Sequence, residues 1–123
     1  MNNTAVGTSA GQEITTGTNN VIIGYQTADA MTTGSGNTII GYDANPSSNS
    51  AANQTVIGNG ATGQGDNIVV IGNSSITSIN PGNATVELGT TANPFQDLNL
   101  SRNIKSCTNG GDLLVTQFDD VEV

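Results

Sequence analysis

Basic charge is almost missing from this chain: two Lys and Arg stand against ten Asp and Glu in 123 residues, for a formal net charge of −8. Nucleic acid is gripped through a cationic footprint on its phosphates, so this composition excludes nucleic-acid binding and disfavours anionic membrane surfaces. Histidine and tryptophan are absent, aromatics make up 3% and charged residues 10%. An ordinary globular domain carries about 25% charge, so the balance points to a fibre rather than a globule. The single Cys107 cannot close an intrachain disulfide. With no His to activate it, it reads as a small structural residue rather than a nucleophile. No stretch approaches the ~20 apolar residues of a membrane span, so membrane insertion is not expected. Met1 leads at once into repeat-like sequence with neither a basic nor an apolar leader region, and the expectation is a chain without a secretory signal.

What the chain does have is a repeat. Gly7, Gly24, Gly41, Gly58, Gly72 and Gly89 follow one another at steps of 17, 17, 17, 14 and 17 residues, each after a short apolar run. A fixed short period is the signature of a solenoid, in which each unit buries its face only against the next. A disordered chain of similar polarity would not hold such columns in register. The residue before each glycine is Val6, Ile23, Ile40, Ile57, Ile71 and Leu88, and the residue three before it is Thr4, Val21, Thr38, Thr55, Val69 and Val86. Strand side chains alternate, so these two columns share a face, expected to form the core of each coil. The intervening column reads Ala5, Ile22, Ile39, Val56, Val70 and then Glu87. Five coils are therefore apolar on both strand faces, and one face remains after the coil interior is filled. That remaining face, Ala5, Ile22, Ile39, Val56 and Val70, is expected to lie against sister chains.

Columns flanking the strands fit a coil. Three places after each glycine stand Ala10, Thr27, Ala44, Ala61, Ser75 and Ala92, all small, as a tight corner requires. Four places before the first four glycines stand Asn3, Asn20, Asn37 and Gln54. Two readings are open for them: an amide ladder stacked along the axis, or ordinary turn asparagines. The third repeat is interrupted by Asn45-Pro46-Ser47-Ser48, and Pro81-Gly82 marks a turn before the last coil.

The segments Asn3-Thr4-Ala5-Val6-Gly7, Asn20-Val21-Ile22-Ile23-Gly24, Asn37-Thr38-Ile39-Ile40-Gly41 and Asn67-Ile68-Val69-Val70-Ile71-Gly72-Asn73-Ser74-Ser75 resemble the head repeats of trimeric autotransporter adhesins, and similar repeats occur in fibres of phages and large DNA viruses. The resemblance covers roughly residues 2–92 and implies an all-β fold: a left-handed parallel β-roll, or β-solenoid, wound into an intertwined homotrimer. The 17-residue steps are longer than the 14 usual in adhesin heads, and Ile or Val stands where that family tends to have Ala. Downstream, Ala92-Asn93-Pro94-Phe95-Gln96-Asp97-Leu98-Asn99-Leu100-Ser101-Arg102-Asn103-Ile104 resembles a segment near the C-terminal ends of phage tail-fibre shafts. The resemblance and the bulk of Phe95, Leu98, Leu100 and Ile104 together imply a cap that locks three chains. The chain thus divides into a repeat region, 1–92, and a capping segment, 93–123, in which Asn109-Gly110-Gly111-Asp112 signals a hairpin.

Chemistry of its own is not expected. Glycan-cleaving spikes use paired carboxylates, and the one adjacent acidic pair, Asp119-Asp120, lies in the terminal stretch. The acids do not recur at one repeat column, so no metal site and no cofactor is expected. Thr15 and Thr32 stack one repeat apart, but the next residue in that column is Asn49, which breaks any ice-binding ladder. The Asn/Ser/Thr-rich corners read as turn chemistry, with a host surface glycan or receptor carried as a further partner. The sequence therefore points to a homotrimeric fibre or spike component of a virion, a rigid shaft or host-attachment element beside other fibre proteins. The alternative is the head of a bacterial trimeric adhesin at the cell surface.

Overall fold

A computed structural model describes residues 2–80 and Gly82, and places them in a parallel β-solenoid of about four turns with no helix among the described residues. Five three-residue strands, β1 (Thr4–Val6), β2 (Val21–Ile23), β3 (Thr38–Ile40), β4 (Thr55–Ile57) and β5 (Val69–Ile71), form one sheet in sequence order. Every neighbouring pair is parallel and pairs the same columns: Ala5 with Ile22, Ile22 with Ile39, Ile39 with Val56, Val56 with Val70. The 14-residue step between Gly58 and Gly72 therefore shortens a loop and leaves strand register intact.

Hydrogen bonding continues past each strand end. Gly24 N–H donates to Val6 O at 2.8 Å and Gln26 N–H to Thr8 O at 2.9 Å; one coil later Gly41 N–H donates to Ile23 O and Asp43 N–H to Tyr25 O, each at 2.9 Å. Backbone groups buried in a coil stack must find partners, and here the adjacent coil supplies them. The glycine column allows that stacking at close quarters. At Gly24, with φ +137°, an added Cβ would collide with the carbonyl oxygen of Gly41 in the next coil. The small column three places on packs inside the corner, with Thr27, Ala44 and Ala61 fully buried.

The amide column is a ladder. Asn20 N–H and Nδ2 donate to Asn3 Oδ1 at 3.0 and 3.1 Å, Asn37 N–H and Nδ2 donate to Asn20 Oδ1 at 2.9 and 3.1 Å, and Gln54 N–H donates to Asn37 Oδ1 at 2.9 Å. Each asparagine also spans the coil, Nδ2 of Asn3, Asn20 and Asn37 donating to Gly17 O, Gly34 O and Ala51 O. Asn20, Asn37 and Gln54 are buried, and their cost of desolvation is met by these bonds.

The core corrects the assignment of strand faces. Ile22, Ile39 and Val56, expected against sister chains, are 0% exposed and form the coil interior with Ala28, Met31, Ala44 and Ala61. Val70 is half-buried in the same column, and Ala5, in the first described coil, is exposed. The residues expected as coil core point outward: Val6 is 56% exposed, Ile23 37%, Ile57 38% and Ile71 56%, with Ile40 half-buried. The cause is parity. Asn20 and Ile22 stand two residues apart, so an amide that reaches across the coil to Gly34 O brings the isoleucine beside it inside as well. Leu88, Glu87, the cap residues Phe95, Leu98, Leu100 and Ile104, and the hairpin of 109–112 lie outside the described residues.

Candidate functional site

Exchanging the two faces leaves one feature on the surface that the coil does not need for its own folding. The columns one and three places before the glycines form an outward stripe, from Val6 through Ile23, Ile40 and Ile57 to Ile71, flanked by Thr4, Val21, Thr38, Thr55 and Val69. Val69 is 65% exposed. Four strand steps at about 4.8 Å make the stripe ~19 Å long. β-Branched side chains fill it because they fit the pleated surface; Val6, Ile23, Ile57, Val69 and Ile71 are exposed, and Val21, Thr38, Ile40 and Thr55 are half-buried. Contiguous exposed apolar surface of this kind marks an interaction face.

Electrostatics separate this stripe from the rest of the surface. The acids among the described residues are Glu13, Asp29, Asp43 and Asp66, and none stands in either column. Asp43 occupies a corner, in the left-handed conformation at φ +51°, and its carboxylate accepts from Asn45 Nδ2 at 3.0 Å. Asp66 bridges coils: its Oδ1 accepts from Ala52 N–H at 2.9 Å and Gln54 Nε2 at 3.2 Å, and these two bonds hold its carboxyl below the ordinary 3.8. Gln54 thus leaves the ladder at the coil where the repeat shortens, and its side chain is re-satisfied by Ser47 Oγ and Asp66.

Concave surface is modest. A cleft of about 210 Å³ lies beside the proline-bearing loop, lined by Asp29, Met31, Asn45, Pro46 and Asn49 among others, with Asp29 as its one carboxylate. Among the described residues no three His, Cys, Asp or Glu side chains come together as metal ligands, and no helix is long and apolar enough to cross a membrane.

Sequence reasoning found the register, the small corner and the two apolar faces, but put the exposed face at the wrong column. It also passed over the tyrosines. Tyr25 and Tyr42, each one place after a repeat glycine, stack with ring centroids 5.4 Å apart and an interplanar angle of 14°. Their 17-residue separation was the available signal, since it equals the repeat. No family model matches the chain, and neither curated proteins nor solved structures show a significant match to it.

Proposed function

We infer that this chain is a structural element of a fibre or spike, a homotrimeric rod built by packing the outward stripes of three copies together. The observation that carries the reading is the uncharged apolar column from Val6 to Ile71, which repeats once per coil and lies on the outer side of the sheet, away from the buried coil interior. Coils stacked along the axis give stiffness because each backbone bond is shared with a neighbour, and burial of the stripe supplies the lateral cohesion. Three-fold order comes with the resemblance of the repeats to adhesin heads. A virion shaft or host-attachment element is preferred over a bacterial adhesin head because residues 92–104 resemble phage tail-fibre ends. On this reading the molecule works mechanically, without catalysis, beside other fibre proteins and with a host glycan or receptor as the object of attachment.

Sedimentation equilibrium of the full chain tests the assembly. A trimer is expected for the parent chain, and folded monomers for Ile23→Asp and Ile57→Asp, since a charge on an exposed strand position is tolerated in water and not in a dry interface. A parent chain that stays monomeric at all concentrations while fully ordered overturns the reading. Labelling of virus particles with an antibody to the chain, viewed by electron microscopy, tests the address.

A further inference from the structure

We propose that the stacked Tyr25–Tyr42 pair is a chain-to-chain contact, packed against a second copy of this same chain at the margin of the apolar stripe. The inference rests on the trimeric-rod reading and goes beyond it by naming aromatic residues that anchor the association.

Chain position and exposure put the tyrosines beside that face. In β2 and β3 the outward residues are Val21, Ile23, Thr38 and Ile40. Inter-coil hydrogen bonding does not stop at the glycines: the N–H groups of Gly24 and Gln26 go to the preceding coil, as do those of Gly41 and Asp43. Tyr25 and Tyr42 open the corner that follows, two places beyond the outward Ile23 and Ile40, so each exposed ring stands at the end of the stripe in its own coil. Both are exposed, Tyr25 by 45% and Tyr42 by 57%, in a chain with two tyrosines, two phenylalanines and no tryptophan. Each ring already has one face covered by the other, at 5.4 Å and nearly parallel. Stacking favours one arrangement of the two rings before any partner arrives and so reduces the side-chain freedom lost when one does.

Charge and spacing argue for a second copy as the occupant. A sister chain is as acidic as this one, and the four acids among the described residues all stand off the three outward columns. Two copies can therefore meet along this face without bringing carboxylates into contact. A parallel sister carries the same strand spacing, so a tyrosine met at one coil is met again at the next. The three columns over five coils offer fifteen positions, against about 20 to 30 residues on one side of a standard interface. Tyr is among the side chains that most often dominate association energy, so the two rings add anchors to a narrow face.

Tyrosine fluorescence tests this directly, because without tryptophan all of the emission comes from Tyr25 and Tyr42. In assembled full chain, acrylamide should quench the emission several-fold less than in the dissociated Ile23→Asp chain. The double variant Tyr25→Ser/Tyr42→Ser should keep its circular dichroism yet require at least about tenfold more protein to assemble, and Tyr25→Phe/Tyr42→Phe should restore assembly because packing carries the contact. Trimers whose tyrosines are quenched as freely as in the dissociated chain, or Ser variants that assemble like the parent, overturn this inference and leave the rod intact. A parent chain that never associates overturns both.

Discussion

Asn37 donates twice to one atom: its backbone N–H and its Nδ2 both reach Asn20 Oδ1, at 2.9 and 3.1 Å, while its own Oδ1 accepts from Gln54 N–H at 2.9 Å. One side chain thus connects three coils, and Nδ2 also closes its own coil through Ala51 O at 2.8 Å. Replacing it with leucine leaves Gln54 N–H without its acceptor in a dry interior and takes one of two donors from Asn20 Oδ1 and from Ala51 O, which keep the backbone N–H groups of residue 37 and Ser35. Asn37→Leu should cost about 2–4 kcal/mol in chemical denaturation, despite the added hydrophobic bulk. Asn37→Asp removes the donors and places a carboxylate against two carbonyl oxygens. Burial and that repulsion should raise the new acid's pKa, so this variant should be least stable at neutral pH and recover as the acid protonates on lowering pH.

Ile39 is 0% exposed and packs inside the coil, whereas Ile40, its neighbour in sequence, is half-buried on the outward face. Ile39→Ala should lower stability by about 2–5 kcal/mol through lost contact and the cavity left behind. Ile40→Ala should leave the unfolding of an isolated chain within about 1 kcal/mol of the parent and act on association instead. Denaturation followed by circular dichroism, with sedimentation alongside, separates the two effects. Equal losses of chain stability at both positions would contradict the assignment of faces.

The corner two places after each repeat glycine is left-handed in four coils, at Ser9, Gln26, Asp43 and Gly60, with φ of 59°, 51°, 51° and 58°. A residue with a Cβ pays to sit there, and in the fourth coil glycine already fills the position. Gln26→Gly should therefore raise the melting temperature, by a stabilisation of about 0.5–1 kcal/mol. Gly24→Ala, two residues away, should do the opposite and prevent native stacking, because its Cβ would collide with the Gly41 carbonyl oxygen.

Asp66 ties the fifth coil to the fourth through Ala52 N–H and Gln54 Nε2. Its folded-state pKa is depressed below the ordinary 3.8, chiefly by the Ala52 backbone bond and then by Gln54. A depressed carboxylate contributes stability above its unfolded pKa and loses it as pH falls through the folded one. Protection of the Ala52 N–H from exchange, measured against its intrinsic rate at each pH, should accordingly fall when the pH drops below 3.8, ahead of protection in the buried strand Thr38–Ile40. Asp66→Asn keeps an acceptor oxygen without the titration and should flatten that pH response.

Much of the architecture was legible in the residues. The step from Gly24 to Gly41 to Gly58 sets the register that pairs Ile22 with Ile39 and Ile39 with Val56, and the small residues Ala44 and Ala61 mark the corner. The ladder was one of two readings, and the bonds between Asn20 and Asn37 decide for it. The tyrosine pair was missed because two tyrosines in a repeat look like isolated surface residues until their stacking across adjacent coils is seen. The inverted faces have a sharper cause. A ladder at Asn20 and Asn37 and an outward column at Ile22 and Ile39 are incompatible, since residues two apart in a strand share a side.

By itself the sequence determined where the strands lie, how they stack and that both of their faces are apolar, because those properties follow from period and composition. Alternation, however, is symmetric: it sorts residues into two sets without saying which set is inside. Only the tertiary structure decided that, through the amides crossing from Asn20 to Gly34 O and from Asn37 to Ala51 O. Those crossings turn Ile22, Ile39 and Val56 into the coil and leave Val6, Ile23, Ile57 and Ile71 in water.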